Sequence, residues 1–156
     1  VIGARPGEFD LDAALWTIPG ERMKVGKEHR VPLSPRAVAI IREIEKTHKG
    51  DFVFPGGKKG KPLSNMAMLE LLKRMERTDL TVHGFRSTFR DWAAERTNYP
   101  REVCEMALAH TVSNQVEAAY RRGDLFEKRR RLMAEWAKHC ENTKSTSKVV
   151  SLARRA

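Results

Sequence analysis

The chain has 156 residues, enough for one domain with a real core and too few for two comfortable ones. Its 30 Lys and Arg against 20 Asp and Glu leave a net charge of +10, which favours polyanionic partners, nucleic acid first. With no run of about 18 apolar residues and no basic helix carrying a continuous apolar face, membranes are set aside, and the distant cysteines Cys104 and Cys140 build neither a redox pair nor a cysteine-rich zinc site and suit a reducing cytoplasm.

In chain order, the opening "VIGARPGE" has neither an initiator methionine nor a secretory signal, and reads as the inside of a longer protein. Two strand-like runs, Leu15 to Ile18 and Arg30 to Leu33, flank a Gly- and Lys-rich connection and predict a β-hairpin with a basic loop. Ser34 as cap and Pro35 at the first helical position start a helix reaching about His48. "DFVFPGGKKGKPLS" is a turn-rich basic loop whose "FVF" could add a third short strand.

Ser64 begins a helix over 65–77. In "TVHGFRSTFRDWAAERT", Val82, Phe85, Phe89, Trp92 and Ala93 form an apolar helical stripe, with His83 and Arg86 three apart on another face and Arg90 one turn on. After Pro100 come a short helix in "REVCEMALA" ending at His110, another in "SNQVEAAYRR", and a long one in "DLFEKRRRLMAEWAKHC" capped by Asp124. Residues 141–156 lack a strong period and read as a flexible tail on a domain of residues 1–140. The fold class is mainly α with a small antiparallel β-sheet (α+β). Phe9, Trp16, Phe85, Phe89, Trp92 and Trp136 are expected in the core.

In sequence order stand Arg5 in "GARPGE", Lys24 in the hairpin loop, His83 and Arg86, His110 in "LAHT" and Tyr120 in "AAYRR". Each is weak alone. In this order, from the opening Gly-x-Arg-x-Gly-Glu to "KRRRLMAEW", the chain resembles the tyrosine recombinases, the phage and genomic-island integrases, and specifically their C-terminal catalytic domain.

The resemblance implies a DNA-breaking and rejoining enzyme that forms a 3′-phosphotyrosine intermediate on double-stranded DNA. Arg5 and Arg86 would stabilise phosphate charge in place of metal ions. His83 would take the proton of the Tyr120 nucleophile, His110 would bond a phosphate oxygen, and Lys24 would protonate the leaving 5′-oxygen. It implies no cofactor, no metal and no membrane, with a tetrameric synapse only for the full-length protein on DNA. A zinc site from His83, His110 and His139 lacks metal-motif spacing. Arg90 matches no catalytic position and is left as a phosphate contact or a helix-surface charge.

Two departures bear on activity. The helical DNA-binding domain that precedes the catalytic one in the family is not in this sequence, and the segment after Arg5 is short by about two helical turns. Arg5 is therefore expected on a frayed segment, loosely held or displaced. The alternative function is a catalytically impaired, DNA-binding remnant of an integrase.

Overall fold

A computed structural model of the chain describes residues 1–110 and 123–142. Its strands are β1 (Phe9–Asp10), β2 (Leu15–Ile18) and β3 (His29–Pro32), and its helices α1 (Pro35–Thr47), α2 (Ala67–Arg74), α3 (Gly84–Arg96), α4 (Arg101–Ala107) and α5 (Phe126–Asn142). The expected α+β class, mostly helical with a small antiparallel sheet, is the one observed. The predicted helix in "SNQVEAAYRR", with Tyr120, lies outside the described residues, as does the expected tail apart from Glu141 and Asn142, which belong to α5.

The sheet runs β1-β2-β3, antiparallel throughout, with Trp16 opposite both Phe9 and Val31. That register stacks Phe9 on Trp16 with ring centroids 5.2 Å apart. The third strand is therefore β1 and not "FVF". Val53 is buried and gives its N–H to the Ala4 carbonyl at 2.9 Å, but Pro55, two residues on, has no N–H to continue a ladder.

Ser34 caps α1 by accepting the Ala37 N–H at 3.2 Å. Helix α2 is shorter than its pattern suggests, because Glu76 takes a left-handed φ of 58° and the Arg77 N–H returns to the Leu72 carbonyl at 2.9 Å. One apolar cluster joins Ala4, Trp16, Ile41 and Val53, so sheet, α1 and the first residues share a core. The expected fraying around Arg5 is corrected by this: Ala4 is fully buried, and a 3-10 turn over Pro6–Glu8 follows.

The second cluster is helical, with Phe89 and Ala93 of α3, Val103 and Cys104 of α4, and Leu132 of α5. Trp136 meets Phe89 edge to face at 5.4 Å, and His139 stacks on Trp92 and Trp136. Phe85, expected in this core, is 56% exposed. The covered stripe of α3 starts one turn later, at Phe89, where α4 and α5 pack against it.

Between the clusters lies a charged node. Arg129 of α5 is 1% exposed and donates to the Asp124 carboxylate (2.8 Å), the Asp124 carbonyl (2.7 Å) and the Arg30 carbonyl of β3 (2.5 Å). Arg30 closes a bidentate pair on the same carboxylate, both distances 2.9 Å, with its guanidinium over the Phe126 ring at 4.4 Å. Asp124 also accepts the Phe126 N–H at 3.2 Å, the capping role its position suggested.

Asp124→Ala leaves a buried guanidinium without its counter-charge and should lower the unfolding free energy by about 3–5 kcal/mol. Arg129→Met leaves Asp124 paired with Arg30 and should cost about 1–3 kcal/mol. Urea denaturation of both variants checks the order, and a larger loss for Arg129→Met would contradict it. Burial pushes the Asp124 carboxyl up, but the Arg30 hydrogen bond and the Arg129 and Arg30 charges outweigh it and hold the pKa below the usual range. That contribution is complete above the ordinary aspartate pKa of ~4 and is lost as pH falls through the lowered folded value. Wild-type stability should accordingly fall more steeply there than that of Asp124→Ala.

Candidate active site

Helix α3 begins where Thr81 accepts the Gly84 N–H on both its carbonyl and its hydroxyl, each at 3.0 Å. His83 is the N-cap residue, exposed, and its carbonyl takes the Arg86 N–H at 3.0 Å. Arg86 and Arg90, one turn apart, both turn toward the end of α4. Arg86 donates from Nη2 to the Leu108 carbonyl, and Arg90 Nε bonds Glu105 Oε1 at 2.8 Å. Arg90, left by its sequence as a phosphate contact or surface charge, is thus engaged in an ion pair within the fold.

The end of α4 is built around Ala109, whose φ of 53° is left-handed. The Ala109 N–H reaches the Met106 carbonyl at 3.1 Å and the His110 N–H reaches the Glu105 carbonyl at 2.9 Å, a Schellman closure. The His110 ring is held on the same residue, Nδ1 lying 2.5 Å from Glu105 Oε2. His110's hydrogen bond, with Arg90 beside it, keeps the Glu105 carboxyl below the usual carboxylate range. Glu105 carries no family motif and its partner Arg90 is 15 positions away, beyond any helical spacing. Only its place five residues before His110, across a helix end, hinted at it.

Arg86 and His110 are therefore brought to one face through Leu108 and Glu105. The Arg5 guanidinium lies over the Phe52 ring at 5.1 Å. The loop around Phe52 presents His48, Lys49, Lys58, Lys59 and Lys61 along one cleft. Glu8, the acidic end of "GARPGE", accepts from Arg22 and from Trp16 Nε1 (2.9 Å). Burial raises its pKa, but these hydrogen bonds outweigh that and hold it low.

Lys24 is exposed in the β2–β3 connection. That connection is closed by the Gly26 N–H on the Met23 carbonyl at 3.0 Å, with Gly26 at a φ of 67°. A Cβ on Gly20 would stand 2.5 Å from the Gly26 carbonyl oxygen, so the loop bearing Lys24 needs glycine at its neck. Among the described residues no group of three or more His, Cys, Asp or Glu is placed to hold a metal ion, and no helix is long and apolar enough to cross a membrane.

Residues 1–125 match the model of the phage integrase family. The chain is 39% identical over 137 residues to the prophage integrase IntA of Escherichia coli K12, covering 86% of this chain and 33% of that protein. It is 32% identical over 151 residues to the integrase of Enterobacteria phage P4, covering 85% and 34%. With the integrase of Shigella phage Sf6 the identity is 31% over 132 residues, covering 82% and 34%. The chain thus spans about a third of the length of these curated relatives. No solved structure matches it.

Ala109 carries a Cβ where a left-handed helix end favours glycine. Ala109→Gly should therefore raise the unfolding free energy by up to about 1 kcal/mol, and Ala109→Val should lower it by about 1–2 kcal/mol. Denaturant midpoints of the two variants check the sign. A valine at least as stable as the wild type would contradict the backbone assignment.

Proposed function

The chain belongs to the phage integrase family, and from that premise we propose that it is the strand-transfer part of a site-specific DNA recombinase. The observation that carries the reading is the shared face on which Arg86 and the His110 turn meet. A guanidinium has five N–H donors, so the bond to Leu108 leaves others for phosphate oxygens. Imidazole and guanidinium together suit a phosphodiester whose negative charge grows during attack.

In this mechanism the Tyr120 oxygen attacks phosphorus, the bond to the 5′-oxygen breaks, and a 3′-phosphotyrosine forms. His83 takes the phenolic proton and Lys24 supplies one to the leaving 5′-oxygen. The reverse attack by a strand's 5′-hydroxyl reseals the backbone, and no nucleotide cofactor is consumed. Of the chain's two tyrosines, Tyr99 is unsuited to attack: burial and its hydrogen bond to Glu135 (2.7 Å) push its pKa up to about 12. That contrast supports Tyr120 as the nucleophile.

Duplex DNA would lie against the basic surface, with Arg5 and the lysines of the 48–61 loop on its phosphates. A tetrameric synapse belongs to the full-length protein on DNA, in the cytoplasm. One observation favours the second reading, a binding remnant with impaired chemistry: Arg5 stands in extended backbone before a single 3-10 turn, with its guanidinium on Phe52.

A nicked suicide duplex tests the first reading. The chain should be trapped as a covalent adduct through Tyr120, absent in Tyr120→Phe, retained in Tyr99→Phe, and formed about 100–1,000-fold more slowly in Arg86→Ala. An adduct that survives Tyr120→Phe would overturn the assignment, and binding without any wild-type adduct would establish the remnant. Affinity for duplex should fall steeply with salt and depend little on sequence. Salt-independent binding would contradict phosphate recognition.

A further inference from the structure

Glu105 has no part in the steps above, yet it is the best-connected acid on the α3–α4 face. Its Oε1 takes Arg90 Nε at 2.8 Å and lies 3.7 Å from Arg101 Nε, while its Oε2 stands 2.5 Å from His110 Nδ1. The same residue's carbonyl takes the His110 N–H at 2.9 Å. Backbone and side chain of Glu105 thus fix both the start and the ring of His110.

We propose that Glu105 is a positioning residue for His110, that it holds the imidazole with its proton on Nδ1, and that Arg90 holds Glu105 in turn. A carboxylate only accepts, so the ring nitrogen facing it must be the donor. The ring's remaining hydrogen-bonding nitrogen is then Nε2, the atom left to meet a phosphate oxygen. A carboxylate that fixes the tautomer and angle of an imidazole is a recurring device for a histidine that must meet its substrate in one orientation. Arg90 adds the other half, because a glutamate with three rotatable side-chain bonds orients a ring only if its second oxygen is anchored. That Nε2 meets DNA rests on the proposed function; the Glu105–His110–Arg90 arrangement does not.

Nitrogen-15 NMR of the imidazoles in the full chain separates the two. Neutral His110 should be protonated on Nδ1 in the wild type and should revert toward the Nε2–H form usual in solution in Glu105→Ala. Arg90→Ala should give an intermediate population. A wild-type His110 mainly in the Nε2–H form, or one unchanged by Glu105→Ala in a protein with native amide spectra, would overturn the proposal without recourse to any variant's activity. On nicked duplex, Glu105→Ala should slow adduct formation by ~10–100-fold at unchanged duplex affinity. Equal rates would remove the positioning role. A wild type that keeps the Nδ1–H form but yields no adduct would count against the functional reading, leaving the positioning arrangement established.

Discussion

The buried guanidinium of Arg129 is the constraint on which the rest of the fold turns. It reaches back across 99 positions to the Arg30 carbonyl and also grips the Asp124 carboxylate, so α5 cannot leave β3 without stripping a charge of its partners. Apolar packing alone would leave two separate clusters, one under the sheet and one among α3, α4 and α5. The node makes them one body. It also fixes Asp124, four positions after Tyr120, and so holds one flank of the segment that carries the proposed nucleophile.

The other flank is held by α3. Arg86 and Arg90 repeat every helical turn, and the end of α4 offers them a carbonyl and a carboxylate at matching places. A basic helix face that looks like a solvated surface is in part a clamp. Its consequence is chemical as well as structural, since Glu105 sits between the clamp and His110, and an anchored carboxylate is what gives a half-exposed imidazole a fixed direction.

What was legible in the sequence was local. Ser34–Pro35 announced α1, the paired strand runs announced β2 and β3 within a residue, and Asp124 announced the start of α5, because caps, proline and alternation act over a few positions. Phe85 stands exposed at the end of its stripe, and periodicity could not show this because it states which residues share a face and is silent on where a neighbour begins to cover it. β1 leaves no local pattern, since its two residues pair only by virtue of Trp16 and Leu15 across from Phe9 and Asp10. Arg129 and Glu105 were illegible as structural residues, since their partners lie across the fold or across a helix end. The candidate site was readable as a family order of residues, and the contacts that orient them were not.

The most direct measurement is a crystal structure of the protein with a duplex carrying the scissile phosphate. A phosphate oxygen within hydrogen-bonding distance of both Arg86 and His110 Nε2, with Glu105 still on Nδ1, is the expected result. DNA bound only along the 48–61 loop, with its phosphates remote from Arg86 and His110, would contradict it.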